Sequence, residues 1–377
     1  MNSLFRRGFP WGAVCFGVVG ITLTLGLWPF HAPLNEVAWL PDANGISFGS
    51  SGTVLSSGTF QSADPGGAAH SIEVWAQPHP WLKSGTLLSF YTLQNPSQLR
   101  VRDAFNDLSL QVGLSDTPNH RTAAKLVVHD VFRRARPLFI TIASGSHGTA
   151  LYLDGKLAAR DPALLIPARS FTGRLVLGDS PRQPDSWWGQ IRGLAMYGTE
   201  LTAEETSRHY ATWTARGRPE INADERNIAL YLFEESGGAI VHNSAHNASH
   251  SHLAPAVDLY IPPRYEVVDK IFMEPFWQEF KMSRSYWSAA LKNVVGFVPL
   301  GLCFSLYLTA LRVKRAVFLT LAVGTSVSLA IELLQWFLPT RDSGMTDVFT
   351  NTLGTGCGLL LQPYANRLLA WRARRTL

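Results

Sequence analysis

Charge is scarce in this chain. Asp, Glu, Lys and Arg together make up 16% of its 377 residues, against roughly 25% in soluble domains. That deficit points to segments that avoid water. Cysteine is nearly absent: three residues, Cys15, Cys303 and Cys357, exclude a disulfide scaffold. The balance of 33 basic against 28 acidic residues gives a formal charge of +5, too weak a field over this length to argue for a nucleic-acid partner. Apolar residues are plentiful, at 46%, which excludes disorder as the dominant state. The length favours two or more structural units over one compact soluble domain.

Four apolar stretches read as membrane-spanning helices, each approaching the roughly 20 residues needed to cross the hydrocarbon. They are Phe9–Phe30 with no charge, Ala289–Leu311 with Lys292, Ala316–Leu338 with Glu332, and Met345–Tyr364 with Asp347. Arg6 and Arg7 precede the first, Arg312, Lys314 and Arg315 lie between the second and third, and Arg367, Arg372, Arg374 and Arg375 follow the fourth. Basic clusters favour the cytoplasmic side. With four spans, all three clusters fall on that side. Both termini are then cytoplasmic and residues 31–288 extracytoplasmic, in a multi-pass protein of the cytoplasmic (inner) membrane. No small-residue cleavage pattern follows Phe30, so an uncleaved anchor is expected rather than a signal peptide. The three cysteines all fall in these stretches, where they read as small packing residues.

Between about Ile46 and Trp213 the pattern changes to short alternating runs punctuated by Gly, Pro and Asp. Ser71–Trp75, Leu108–Val112, Leu126–Val128, Leu138–Ala143, Ala150–Leu153, Leu175–Leu177 and Ile191–Tyr197 read as strands of a β-sandwich. Asp154-Gly155 between ALYL and KLAA predicts a hairpin with a type I′ turn. Thr202 with Glu205 three residues on predicts a capped helix start. The runs SIEVWAQP, LFITIASGSHGTALYLDGKLAAR and GQIRGLAMYGTELTAEE resemble the concanavalin A-like, LamG-type family, with Arg192-Gly193 where that family usually has an acidic pair. The resemblance implies an all-β jelly-roll sandwich over residues 42–215. NIALYLFEESGG, from Asn227, echoes the opening strand of such domains, so 216–265 is expected to hold an additional strand pair and a connector.

Trp81, Trp187 and Trp188 are candidates to stack on sugar rings, or else core and edge residues; Trp75 reads as core. Asp64, Asp179 and Asp185 lie near loops and are the candidates for calcium, although their spacing matches no metal loop. His242, His246, His250 and His252 have the spacing of a zinc site only on a helix, and their Asn, Ser and Ala neighbours read as a solvated loop. The Glu-x-Asp-x-x-Glu pattern of sandwich glycosidases is absent, which argues against glycan hydrolysis. No cofactor is otherwise indicated.

Charged and amide side chains inside a bilayer are costly and default to a functional hypothesis. With the orientation above and a rise of about 1.5 Å per residue, Asn293, Glu332, Gln335, Asp347 and Asn351 all fall in the outer part of the membrane, with Arg341 in the short outer turn within reach of Glu332 or Asp347. NVVGFVPLG and IELLQWFLPTRDSGMTDVFTNTLGTGCG resemble the VanZ-like family of small bacterial membrane proteins, whose pattern Asn293, Phe297, Pro299, Gly301, Glu332, Gln335, Arg341, Asp347, Asn351, Gly354 and Gly358 match position for position. Val268-Asp269-Lys270 resembles the Asp-Lys that precedes this core, but the histidine that usually follows is Met273 here. The resemblance implies a VanZ-like region at 266–377, a first span at 1–30 and a sandwich inserted between them. It also implies a link, by resemblance only, to low-level teicoplanin resistance. Other readings stay open residue by residue. Glu332 can be an internal clamp, Gly354 and Gly358 can serve helix packing, and Asp347 and Asn351 can cap a helix.

Two functional readings follow. The first is a membrane protein of the cell envelope whose outer domain binds a glycan or a protein, its other partner being the bilayer lipid. The alternative is a membrane enzyme acting on a lipid-linked envelope intermediate, with Glu332 or Asp347 as acid or base and Arg341 as an anion clamp. The absence of a nucleophile–base pair or metal motif weighs towards the non-enzymatic reading.

Overall fold

The computed structural model describes residues 11–61, 69–80, 84–92, 95–113, 124–181, 185–245, 251–255, 260, 272–280, 284–338 and 341–375. Arg6, Arg7, Asp64, Trp81, His246, His250 and Val268–Lys270 lie outside them. The chain forms two compact units, residues 33–269 and residues 1–32 with 270–377.

Residues 33–269 are a sandwich of two antiparallel sheets. One sheet runs β1 (Val37–Trp39), β2 (Ile46–Phe48), β13 (Gly189–Tyr197), β4 (His70–Pro78), β9 (Leu138–Gly145), β10 (Gly148–Leu153) and β11 (Lys156–Asp161), with β14 (Asn227–Tyr231) also paired to β13. The other runs β15 (Leu253–Pro255), β3 (Val54–Ser56), β12 (Arg174–Leu177), β5 (Gly85–Thr92), β6 (Asn95–Ala104), β7 (Asp107–Val112) and β8 (Ala124–Val128). Side chains alternate across a strand, and this alternation builds two cores. On β4, Ile72, Val74 and Ala76 point between the sheets, with Leu138, Ile140 and Ile142 of β9 beside them. On the other face, Phe139, Ala143, Ala195 and Tyr197 pack under α2 (Ala203–Arg216), whose Trp213 is fully buried.

Local chemistry explains the ends of these elements. Asp154 and Gly155 both have positive φ, 51° and 73°, as a type I′ turn requires, and Leu153 pairs with Lys156 across it. The Thr202 hydroxyl accepts the Glu205 amide at 3.2 Å while the Glu205 carboxylate accepts the Thr202 amide at 2.6 Å, closing a capping box on α2. Gly193 stands where a Cβ would meet the Trp213 ring at 2.3 Å. The departure from the acidic pair at 192–193 therefore makes room for the helix.

Among the described residues of 216–265, Val241 bridges Leu253 antiparallel. The two strands of that segment divide between the sheets: β14 adds to β13, and β15 adds to β3 at the edge of the second sheet. Tyr231, Phe233, Val241 and Leu253 then complete the inter-sheet core, so hydrophobic burial decides their places. The sandwich also begins ahead of residue 42, at β1. Near its end the Tyr260 amide donates to the Pro33 carbonyl at 2.8 Å.

The helical unit contains α1 (Trp11–Leu27), α3 (Phe276–Glu279), α4 (Arg284–Ala310), α5 (Ala316–Trp336) and α6 (Met345–Arg375). Two helices, Tyr286–Ala310 and Ala316–Trp336, are long and apolar enough to cross a membrane. Among the described residues, four such spans are not seen. The N-terminal helix has 17 residues, and α6, which runs past Tyr364 to Arg375, carries too many polar and charged groups. Phe297, Leu300 and Ile331 form its small core, with Val18, Leu23 and Leu27 of α1 packed against them. The backbones of α4 and α6 nearly touch. A Cβ on Gly301 would lie 2.0 Å from the Thr355 carbonyl oxygen, on Gly354 2.2 Å from that of Val294, and on Gly358 2.3 Å from that of Val298. Small residues permit this approach.

Candidate functional site

The polar residues of the helical unit meet where α6 begins. Asn293 donates to Asp347 Oδ1 at 2.7 Å, joining α4 to α6. Glu332, fully buried near the end of α5, accepts the Gly344 amide at 2.9 Å. Glu279 of α3 accepts the Thr346 amide at 2.8 Å. A helix start leaves amides without intrahelical partners and presents a positive partial charge. Carboxylates from α3 and α5 thus answer the amides at and beside the start of α6, and Asp347 lies in its first turn. One turn deeper, Asn351 donates to Ser328 Oγ at 2.9 Å, while its buried Oδ1 has no partner among the described residues.

Gln335 and Arg341 attach the same region to α1. Gln335 Nε2 donates to the Gly26 carbonyl at 2.7 Å, and the Arg341 guanidinium donates to the Trp28 carbonyl. A short parallel bridge completes the frame: Glu274 N–H donates to Ser343 O, and Met345 N–H to Glu274 O, each at 2.9 Å. Met273, at the position of the family histidine, immediately precedes this bridge with φ 55°.

All six polar residues singled out from the sequence make a hydrogen bond within this one unit. The carboxylate that sequence reasoning missed is Glu279. Its signal was a lone acid in the aromatic run FWQEF ahead of a span. Chemically the cluster fastens helix ends. Glu332 and Asp347 each receive a donor from their own chain, and among the described residues no group of three or more His, Cys, Asp or Glu is arranged to hold a metal ion.

The candidates in the sandwich are largely consumed by its own structure. Trp187 is fully buried and packs on Phe48 at 6.1 Å between ring centres, so it cannot stack on a sugar. Trp188 is half-buried and stacks on His79 at 3.8 Å. Asp179 is buried and accepts the amides of Ser180 and Asp185, both at 2.7 Å, together with the Tyr260 and Ser186 hydroxyls. Burial lifts its carboxyl to about 6 against the pull of these donors. Asp185 forms a two-point ion pair with Arg102 at 2.7 and 2.9 Å and also accepts Thr86 Oγ1. Both carboxylates are thus engaged by donors of the sandwich itself. His242 bonds Glu235 at 3.1 Å and packs against His252.

A buried constellation that sequence reasoning also missed lies under α2. His209 is fully buried between two carboxylates, with Nδ1 3.0 Å from Glu73 and Nε2 2.8 Å from Glu225. Tyr197 OH donates to Glu73 at 2.7 Å, and Arg208 pairs with Glu225. Burial pulls the imidazole pKa down, but the hydrogen bond and charge of Glu73, joined by Glu225, outweigh it and leave the pKa raised. The strand alternation that sends Ile72 and Val74 inward sends Glu73 to this face.

The sandwich surface carries a cleft of about 390 Å³ lined by Thr59, Gln61, Thr92, Arg169 and Thr172.

Residues 227–366 match the model of the VanZ/LLP1 family. The match begins at the first residue of β14, so it takes in the last strands of the sandwich as well as the helices. No curated protein matches the chain. Among solved structures, a protein from Bacteroides ovatus provisionally named carbohydrate binding is 11% identical over 58% of this chain, with a TM-score of 0.42; the chain spans 59% of its length. A heptameric SAP-like pentraxin from Limulus polyphemus is 14% identical over 47% of this chain and 80% of its own, with a TM-score of 0.33. The binding domain of botulinum neurotoxin DC, solved with rat synaptotagmin II, is 15% identical over 48% and 47%, with a TM-score of 0.35. The chain thus joins a region that matches the VanZ/LLP1 model to an antiparallel β-sandwich.

Proposed function

We propose that this is a multi-pass protein of a bacterial cytoplasmic membrane whose helical unit anchors an extracytoplasmic sandwich, and that the sandwich binds a glycan or a protein of the cell envelope. The observation that carries the reading is the polarity of the helical unit along its length. Apolar side chains such as Val295, Leu329, Phe349 and Leu360 are exposed on its flanks. At the end where α6 begins, Phe272, Phe276, Trp277, Phe280, Trp287 and Phe337 form an exposed aromatic band. The turn at the other end carries exposed Arg312, Lys314 and Arg315. Apolar flanks, an aromatic girdle and a basic turn are what a bilayer, its interface and its cytoplasmic face select. On this reading α1 and α6 also span, which gives the four crossings that keep every basic cluster on one side.

The open cleft beside Arg169 and Gln61 supports a polar ligand for the sandwich. A catalytic role finds less support, because Glu332 and Asp347 already accept hydrogen bonds that fix helix ends. Impermeant maleimide labelling of intact cells tests the topology: Thr214→Cys should label and Lys314→Cys should not. Glycan-array binding tests the ligand, and binding lost in Arg169→Ala would assign the cleft. A labelled Lys314→Cys in sealed cells would overturn the orientation.

A further inference from the structure

A groove of about 690 Å³ runs between the first halves of α4 and α6, walled by Trp287, Leu291 and Val294 on one side and Phe349 and Leu353 on the other, with Phe276 contributed by α3. The volume falls in the roughly 300–1,000 Å³ range of small-molecule sites. Its wall residues recur every three or four positions, so each helix presents one face to it. The groove ends where glycine contact begins, since Val294 is both a wall residue and the backbone that Gly354 approaches. Asn293, Asp347 and Asn351 are not among its walls. It is distinct from the polar cluster except at one point: Thr346 lines the groove, and its amide is held by Glu279.

We propose that this groove binds one acyl chain of an amine-bearing phospholipid, with the headgroup beside Glu279. The inference rests on the membrane-spanning reading above. In a bilayer the groove opens among the aromatic residues of the girdle, at headgroup level, so an acyl chain is the occupant that the surroundings supply. Charge selects the headgroup. Glu279, Asp342 and Asp347 gather at this end, and the nearby Arg341 donates to the Trp28 carbonyl. An amine is favoured there and an anionic glycerol headgroup is not.

The test uses the full chain. Retention in the membrane pellet after an alkaline carbonate wash is read first; a chain that washes off overturns the membrane reading itself. The detergent-purified chain is then offered phosphatidylethanolamine or phosphatidylglycerol with identical acyl chains, and bound lipid is counted by native mass spectrometry. One phosphatidylethanolamine should be retained, several-fold in preference to phosphatidylglycerol. Leu353→Trp and Ala290→Trp, which fill the groove from opposite walls, should each lose it, so that if one variant fails to fold the other decides. Glu279→Gln should keep a bound lipid and lose the preference. Equal retention of the two lipids, retention unaffected by groove filling, or a lipid-free mass of two chains showing that a second copy covers the groove would each overturn the proposal.

Discussion

His209 shows how much a single residue can hold in this sandwich. It ties α2 to β4 through Glu73 and to the following turn through Glu225, all three side chains being buried. Removing one partner of a buried charge network leaves the others uncompensated, at a cost of about 3–5 kcal/mol. His209→Ala should lose stability on that scale, measured by urea unfolding. The same residue sets a pH dependence. Its folded pKa is raised above the unfolded value of 6.5, so the protonated imidazole contributes its full stabilisation below that value and loses it as pH climbs through the folded pKa. The urea midpoint should therefore fall as pH rises above about 6.5, and His209→Gln should flatten that slope. An unchanged slope in the variant would assign it to other groups. Little of this network was legible in the sequence, because Glu73 looks like an ordinary solvent-facing position in SIEVW until a helix covers it. Trp187 and Trp188 illustrate the same difficulty: adjacent residues of an extended segment point to opposite sides, and the sequence does not say which side is inside. The convergence of Asn293 with Asp347 was legible, since helical rise and chain direction fix depth.

At the scale of elements, legibility follows range. The Asp154-Gly155 hairpin and the Thr202–Glu205 capping box are closed by residues within a few positions of each other, and both appear as the sequence implies. Strands β5 and β6 were missed for different reasons. The first is buried along nearly its whole length and lacks alternation, while the second opens on Asn95-Pro96 and alternates Leu99 and Val101 with two arginines. The partners of β14 and β15 depend on contacts across the whole domain. Between helices, packing turns on individual glycines. Gly301→Leu should disrupt the α4–α6 contact, since overpacking typically costs about 1–3 kcal/mol and more against backbone. Gly296→Leu, on the same helix with nothing within 4 Å of its Cβ, should be tolerated. Melting of the two variants in detergent separates a packing defect from a general effect of bulk. Thr202→Ala should cost about 1 kcal/mol through the lost cap on α2.

At the scale of the molecule, the sandwich occupies the chain between α1 and the remaining helices. It carries its own two cores, and a fragment of residues 33–269 should fold by itself, with a cooperative unfolding transition and a dispersed amide spectrum; a molten fragment would show that it leans on the helices. The hydrogen bond from Tyr260 to Pro33 has a further consequence. The first residue of the sandwich unit and a residue near its end are one bond apart, so the unit closes on itself. Such closure makes the sandwich a self-contained insert in the chain, a unit that can be gained, lost or replaced as one piece. Removing residues 33–269 as that one piece offers an experimenter a clean way to ask what the helices do alone.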